Sequence, residues 1–550
     1  MQRTKKAQAG SSDPDHLDPS IYRYILRHTR RDQIFLVLLT LASMPLVYLT
    51  LEVPKLIVNE ALAANQEVFI ILDVELTRVQ FLLFLSFVFL FLILVTGAIK
   101  YFVNVYRGVV GERMLRRFRF TLFSRLTRFP LLRFRSMSSG EVIPMVTAET
   151  EPVGGFIGDS IALPVFQGGL LITYVWFIFV QDFWLGLAAI SLYPIQAAVI
   201  PRLQRKINAL GRERVRTMRK VSDRIGETVN AAADIRVNGT GALEKADMAH
   251  RLGKVFLIRD EIFRRKFFIK FLSNFLGQLT PFFFYSIGGY LVIQRELSLG
   301  ALVAVLAAYK DIGPPWRELL RFYQTSADVR IKYAQIIDQF QSDILQPDPV
   351  TDSPVLNPES FEQGIEAANV RVAESEHGNR LENVSFNIEI NERVGILSAD
   401  AEAARQFALL ATGLLTPSSG KLQINGSDPG VLPGIERGRN IGLCNADSFL
   451  FTSTIRDNLF YGLKQQPLPR SDAESMDPKA RREAEKSGNS LNSVSDTWCD
   501  PAVAGLTSDD ELKDWAMQVV EAVQLTDDLL SLALESYLTS GQAALKEKIV

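Results

Sequence analysis

The pattern of apolar positions divides the chain into a first half with long hydrophobic runs and a second half with short ones. A helix needs about 20 apolar residues to cross a bilayer, and six runs reach that length. They cover residues 33–54, 79–106, 160–181, 183–204, 267–293 and 297–318. Polar residues and glycines interrupt the last two. The pattern therefore predicts an α-helical membrane domain of six spanning helices within residues 20–340.

The segment before the first run combines aromatic, apolar and arginine side chains in DPSIYRYILRHTRR. This composition is typical of an amphipathic helix that lies in the membrane interface, so we predict an interfacial elbow helix there. Residues 1–19 are a polar tail with no short apolar core and no cleavage site, so no signal peptide is expected.

Arginine and lysine are concentrated in two long segments, one after the second run and one after the fourth. They are Arg107, Arg113, Arg116, Arg117, Arg119, Arg125, Arg128, Arg133 and Arg135, and Arg202, Arg205, Lys206, Arg212, Arg214, Arg216, Arg219 and Lys220. The positive-inside rule then puts both termini in the cytoplasm of a multi-pass membrane protein. Topology alone would explain these charges. The length and symmetry of the two segments also favour docking to a cytoplasmic domain.

Composition agrees with a membrane protein. Hydrophobic residues make up 47% of the 550 residues, and the mean hydropathy is +0.11. The net charge of −1 averages basic loops against an acidic end, so it does not indicate a nucleic-acid partner, and none is expected. The two cysteines, Cys444 and Cys499, form neither a disulfide framework nor a CxxC metal pair. No metal site is predicted.

After a linker at residues 341–360, the apolar period shortens to that of β-strands. Strand-like runs occur at 365–373, 381–390, 392–397, 421–426 and 440–444, with a helix-like run at 403–415. Strand, loop, helix and strand in this order suggest a partial α/β unit of the phosphate-binding type. Residues 464–500 are polar and rich in proline and serine, which predicts a disordered or loosely held insertion.

Several segments resemble the ATP-binding-cassette (ABC) exporter family, in its type IV half-transporter architecture. LENVSFNIEINERVGIL and LLTPSSGKLQING are similar to the segments that flank the family's phosphate loop. SFLFTSTIRDNLFYG, residues 448–462, is similar to the segment after its glutamine loop and is the most specific match. FRSMSSGEV and ETVNAAADIRVNG resemble its two coupling helices. The resemblance covers residues 20–550 and implies a nucleotide-binding domain over residues 361–550.

The resemblance also implies roles for particular residues. The coupling helices would include Phe134, Gly140, Glu141, Glu227, Ile235 and Val237. Two membrane halves would form one pathway that opens alternately to each side, driven by ATP and Mg²⁺ at the assembled transporter.

The phosphate loop departs from the family's pattern GxxxxGK[ST], in which glycines admit the phosphates, the lysine neutralises them and the hydroxyl holds Mg²⁺. The matching residues are Ser398, Asp400, Glu402, Ala404 and Arg405, with alanine in place of the lysine and arginine in place of the hydroxyl. Each carboxylate about 5 Å from a phosphate would cost roughly 1 kcal/mol in water and about 3 at an effective dielectric constant of 20. ATP binding by this chain is therefore doubtful.

Other nucleotide-binding positions depart as well. Glu374 stands where the base-stacking aromatic residue is expected, and Ala446 stands where the glutamine is expected. LTSGQ at residues 538–542 is similar to the LSGGQ signature only in part, and no strand ending in Asp-Glu follows it. No catalytic residue is assigned, and whether the chain is an ATPase is left open. A partner subunit or downstream sequence is expected to supply the competent parts.

Polar residues in the fifth and sixth runs are candidates for a substrate pathway. They are Asn274, Gln278, Lys310 and Asp311. Ionisable residues at membrane depth are costly and often functional. Alternatively, the amides could join helices, and the charges could pair with each other or lie at the cytoplasmic end.

Together these features predict one subunit of an ABC exporter in a cell membrane, with the bacterial inner membrane as the expected location. It would dimerise with an identical or different half-transporter and contact membrane lipid while exporting an unknown substrate. The alternative is a non-transporting membrane scaffold or regulator derived from such an exporter.

Overall fold

The computed structural model describes most of the chain. The described residues are 17–62, 68–71, 74–137, 139–341, 345, 363–372, 381–398, 401–415, 417–428, 434–444, 449–465, 467–468, 477–494 and 496–539. They form two compact units. The membrane unit comprises residues 21–112 and 154–331. The terminal unit comprises residues 1–20, 113–153 and 332–550.

Long helices build the first half of the chain. They are α1 (Ile21–Leu56, continued by a π-helical turn Ile57–Leu62), α2 (Arg78–Thr127), α5 (Glu151–Asp159), α6 (Ala162–Gln181), α7 (Phe183–Ser191), α8 (Tyr193–Asn230), α9 (Ala232–Asn238), α10 (Gly241–Phe283), α11 (Gly289–Ile293) and α12 (Leu299–Phe340). Short helices α3 (Leu131–Ser136) and α4 (Ser139–Pro144) lie between α2 and α5, and π-helical turns cover Met145–Glu149 and Phe284–Gly288.

Five helical segments of the described residues are long and apolar enough to cross a membrane. They are Ile21–Leu62, Arg78–Thr127, Ala162–Gln181, Phe183–Asn230 and Gly241–Ile293. Four of them contain the corresponding predicted spans, and the third covers all but the first two residues of the span predicted at 160–181, so a multi-pass membrane protein is confirmed. The predicted sixth span is helical as part of α12 but is not among these five. Its apolar stretch ends at Tyr309, where Lys310 and Asp311 follow.

The predicted elbow is not a separate helix, because α1 runs unbroken from Ile21. No proline or glycine separates residues 18–31 from the first span after α1 begins, so nothing interrupts the backbone hydrogen bonds there. The loop after α1 contains a feature that sequence reasoning missed, an antiparallel hairpin of β1 (Val68–Ile71) and β2 (Val74–Thr77).

Buried apolar side chains hold the membrane unit together. One buried cluster includes Phe177, Leu185, Phe284, Val305 and Ile312, each almost inaccessible to solvent. The helices approach most closely where glycine replaces a side chain. A Cβ added at Gly111 of α2 would lie 3.0 Å from the carbonyl oxygen of Gly154 of α5, and one at Gly158 would overlap the backbone of α2. Small residues permit such close crossings in membranes.

The terminal unit contains a three-stranded sheet, and every pairing in it is antiparallel. Its strands are β3 (Ile365–Arg371), β4 (Val384–Ile388) and β5 (Ser419–Ile424), in the order β4-β3-β5. Helix α13 (Ala401–Ala411) packs on it, as Leu409 and Leu410 join Val370 and Leu422 in one buried cluster. Further helices are α14 (Gly434–Asn440), α15 (Ile455–Leu459), α16 (Pro478–Ser487), α17 (Asp509–Ala522) and α18 (Thr526–Thr539).

Two predicted strands are wrong. Residues 392–397 lie outside the sheet, with Val394 and Ile396 about half exposed and Leu397 fully exposed. Residues 441–444 also lie outside the sheet, and Asn440 is the last residue of α14. An isolated strand has no partner for its backbone groups, and no described strand lies beside either segment. The parallel core that a phosphate-binding α/β unit requires is therefore not formed by the described residues.

The predicted disorder of residues 464–500 is also wrong for the part that the structure describes. Helix α16 has proline at its first position and Gly488, in a left-handed conformation, just past its end, which are favourable start and stop signals. Ala484 and Ser487 are buried. The polar composition reflects a charged helix that packs within the terminal unit. Residues 469–476 lie outside the described part.

Candidate functional site

A cavity of about 800 Å³ lies within the membrane unit, between α8, α10 and α12. Its lining residues are Tyr193, Gln196, Ile200, Ser273, Asn274, Gly277, Gln278, Pro281, Tyr285, Leu306, Ala307, Tyr309, Lys310, Gly313, Trp316, Arg317 and Leu320. This size is within the range of small-molecule sites. Three of the four predicted pathway residues, Asn274, Gln278 and Lys310, share this lining. Asp311 does not line the cavity.

Aromatic contacts fix the walls of the cavity. The Tyr309 hydroxyl donates a hydrogen bond of 3.3 Å to the carbonyl oxygen of Gly277, which joins α12 to α10. The rings of Tyr193 and Trp316 meet edge to face with centroids 5.2 Å apart, which joins α8 to α12. A Cβ at Gly277 would meet no atom within 4 Å, so this glycine leaves open space in the wall.

The cavity has a cationic face. Lys310 and Arg317 are seven residues apart on α12, so they lie on the same side of the helix two turns apart. Both side chains line the cavity, and none of its described lining residues is acidic. The acidic residues that follow each of them, Asp311 and Glu318, do not line it. Asp311 interacts electrostatically with Lys310 itself and with Lys100 of α2, and Glu318 repels Asp159 at the end of α5.

Sequence reasoning missed several members of this site. Gln196 is a buried polar residue in the fourth span, and Tyr193, Trp316 and Arg317 complete the walls around Lys310. The spacing of seven between Lys310 and Arg317 was a signal that could have identified the cationic face.

The first predicted coupling segment belongs to the terminal unit. Phe134 lies in α3 and is exposed, while Gly140 and Glu141 lie in α4, where the structure describes only the backbone. Leu131, at the start of α3, packs against the buried cluster of the three-stranded sheet. The neighbouring Arg133 donates a 2.6 Å hydrogen bond to the carbonyl oxygen of Gln339 near the end of α12.

The second predicted coupling segment belongs to the membrane unit, in and beside α9. Glu227 forms a 2.8 Å ion pair with Arg224 near the end of α8. Ile235 is half-buried, whereas Val237 is 86% exposed.

The described residues of the predicted phosphate loop lie just before α13 and in its first turns. Ser398 is exposed and follows the unpaired segment 392–397. Asp400 lies outside the described residues, and of Glu402 only its helical backbone in α13 is described. Ala404 is half-buried and Arg405 is exposed in the first turns of α13. This donor set includes neither the lysine that neutralises phosphate nor the hydroxyl that holds Mg²⁺, so it does not fit the nucleotide. Glu374, Ala446 and residues 540–542 lie outside the described residues.

Comparison with known proteins extends this picture. A family model described as the ABC transporter transmembrane region matches residues 56–309. An uncharacterized ABC transporter ATP-binding protein, YknU of Bacillus subtilis, is 23% identical over 391 residues, 70% of this chain and 65% of the relative. An ATP-dependent lipid A-core flippase of Syntrophus aciditrophicus is 22% identical over 393 residues, 71% of this chain and 64% of the relative.

A second ATP-dependent lipid A-core flippase, from Alcanivorax borkumensis, is 18% identical over 382 residues, 68% of this chain and 63% of the relative. The chain thus spans a little less than two thirds of the length of these relatives. The matched region begins at the end of α1 and ends at Tyr309, so it includes most of the helices of the membrane unit. The described helices, the transmembrane-region match and the agreement among the relatives show that the membrane part of this chain is similar to the transmembrane region of ABC transporters.

Proposed function

We propose that the chain forms one half of the transmembrane pathway of an ABC exporter and that its cavity is part of that pathway. The cavity itself carries this proposal. It brings together polar residues from three long helices, although such residues are costly in a lipid environment unless they line a cavity or pair. Asn274, Gln278 and Lys310 would then contact substrate.

A second membrane half would complete the pathway. Helix α10 exposes a row of aromatic side chains that a soluble protein would bury: Phe267, Phe268, Phe271, Phe275 and Phe282 are each 54–64% exposed. Such a surface suits lipid on one side and a second half-transporter on the other. The partner can be identical or different. We propose the cell membrane as the location, with both termini cytoplasmic as the arginine and lysine distribution indicates.

ATP would be used mainly by the partner or by sequence beyond this chain, because the phosphate-loop residues here do not fit the nucleotide. This chain would follow the partner mechanically through its coupling segments. The contact of Leu131 with the sheet cluster supports such a link, since it joins the first segment to the degenerate domain without any nucleotide.

The experiment measures access to the cavity in membrane vesicles that contain the full chain and a nucleotide-competent half-transporter. Gln278→Cys is placed in a background that lacks Cys444 and Cys499, and its reaction with a membrane-impermeant maleimide is followed with and without ATP. Alternating access predicts that ATP changes the labelling rate of Gln278→Cys several-fold. The control, Phe271→Cys on the exposed aromatic row, should react equally in both conditions. Equal rates at Gln278→Cys with an active partner would instead favour the scaffold or regulator.

A further inference from the structure

Two residues of α12 set the charge of the cavity. Lys310 and Arg317 line it, while the acidic residues that follow each of them, Asp311 and Glu318, do not. No ion pair of Lys310 or Arg317 occurs among the described residues. We infer that the cavity takes an amphiphile whose polar end carries an anionic oxygen group, phosphate or carboxylate. This inference rests on the proposed function.

The placement of the two cations supports this assignment. With a rise of about 1.5 Å per residue, Arg317 lies about 10 Å beyond Lys310 along α12, and both line the cavity. Asp311, the carboxylate that interacts electrostatically with Lys310, is not part of the lining. Inside the cavity both cations would attract a ligand anion, whereas they would repel a cationic ligand.

The remaining wall suits the apolar part of an amphiphile. Ile200, Leu306 and Leu320 supply aliphatic surface, and Tyr193 and Trp316 supply aromatic surface. An apolar wall with a few convergent polar groups is the usual composition of a small-molecule site. A free inorganic anion would leave this apolar wall uncovered, which favours an amphiphile over phosphate alone.

Trp316 provides the measurement, because its ring is part of the wall. The full chain has five tryptophans, and replacing Trp176, Trp184, Trp498 and Trp515 with phenylalanine leaves Trp316 as the single emitter. This variant is placed in nanodiscs of phosphatidylcholine. Brominated phosphatidic acid and brominated phosphatidylcholine are added at equal mole fractions, and quenching of Trp316 is recorded. Inorganic phosphate is tested as a competitor in a separate arm.

We expect the anionic lipid to quench Trp316 at about tenfold lower mole fraction than the zwitterionic one, the size of one charge-assisted hydrogen bond. Lys310→Gln and Arg317→Gln should each reduce this preference. Lys310→Arg keeps the charge and should preserve the preference for the anionic lipid. Arg295→Asn removes a cation outside the cavity and should also preserve this preference. Residue 295 has a backbone φ of 65°, which asparagine tolerates. Thermal unfolding of each variant reports whether it is folded.

Three results would overturn the inference. Equal quenching by both lipids would show a cavity without anion preference and would leave the proposed pathway intact. Full competition by inorganic phosphate would assign the site to a soluble anion. Quenching by neither lipid would remove the amphiphile from the cavity, and the maleimide experiment on Gln278→Cys would then decide separately whether the pathway proposal survives.

Discussion

Breaking the contact between Arg113 and Glu483 should loosen helix α16 from the C-terminal part of α2. The guanidinium of Arg113 donates two hydrogen bonds of 2.9 Å to the two carboxylate oxygens of Glu483. Two neighbouring arginines of α2 reach the end of the same helix. When the side-chain amide of Asn489 is oriented so that its hydrogen bonds are satisfied, its oxygen accepts a 3.1 Å hydrogen bond from Arg116. The guanidinium of Arg117 lies against Gly488. Cations at a helix C-terminus are favourable.

The structure sets the size of this effect. The Arg113 side chain is 15% exposed and that of Glu483 is 44% exposed, so water screens the pair only partly. Exposed ion pairs contribute about 0.2–1 kcal/mol, and bidentate arginine pairs lie at the upper end or above. We therefore expect a coupling free energy of about 1 kcal/mol, which corresponds to roughly a fivefold change in the local opening equilibrium of α16.

Limited proteolysis measures this opening, because α16 contains trypsin sites at Lys479, Arg481, Arg482 and Lys486. When opening is fast, cleavage follows the population of the open form. Glu483→Ala should be cleaved about five times faster than the parent chain. Glu485→Ala is the matched control, since it removes the same charge from the same helix but only an exposed pair with Arg481. The exchanged pair, Arg113→Glu with Glu483→Arg, should recover part of the protection.

The pKa of Glu483 adds a pH test. Hydrogen bonds from Arg113, and then its charge, hold the pKa of Glu483 below its usual value of 4.5. A lowered folded-state pKa contributes stability above 4.5 that is lost as the pH falls through the folded-state value. Hydrogen exchange in α16 should thus differ between the parent chain and Glu483→Gln at neutral pH and converge below pH 4.5. Equal cleavage rates for Glu483→Ala and Glu485→Ala would refute the reasoning. So would additive effects of Arg113→Glu and Glu483→Arg on the free energy of opening α16.

Two further substitutions test the packing, each against a matched control. Gly158→Ala should lower the free energy of unfolding by about 1–3 kcal/mol, because the added Cβ would overlap the backbone of α2. The control Gly155→Ala meets no atom within 4 Å and should be neutral or slightly stabilising. Thermal unfolding in detergent measures both. Tyr333→Phe removes a buried 2.7 Å hydrogen bond to the carbonyl oxygen of Asp18 and should lower the melting temperature by about 3 °C, unlike Tyr323→Phe, whose ring is 72% exposed. An equal effect within either pair would contradict the packing described.

The membrane helices could be predicted wherever length and apolar composition act together. Runs such as 79–106 are continuous and apolar, and the structure extends them into the longer helices that contain them. The sixth run differs because α12 carries Lys310 and Asp311, so its composition weakens the membrane signal at the point where the helix faces the cavity. The helix itself is continuous. The composition of a helix therefore depends on the cavity that it lines as well as on the membrane that it crosses.

The soluble half was less predictable because strand patterns do not specify their partners. The runs at 365–373 and 421–426 contain β3 and β5, which pair with each other. The run at 392–397 is as apolar but remains outside the sheet, because a strand needs a neighbour at the correct register. Helix α16 was missed for a different reason. Its residues are polar, and its order depends on arginines of α2 that lie about 370 positions earlier in the sequence.

Residues 113–153, the arginine-rich part of α2 and the segment after it, make contacts within the terminal unit that use none of the phosphate-loop residues. Arg125 is buried and donates a 3.1 Å hydrogen bond to the carbonyl oxygen of Phe340 at the end of α12. Leu131 packs on the sheet cluster, and Arg113 holds α16. A buried arginine and a packed leucine transmit displacement without a bound nucleotide. Under the proposed function, the changed phosphate loop would therefore leave these attachments in place, as a transport half driven by its partner would require.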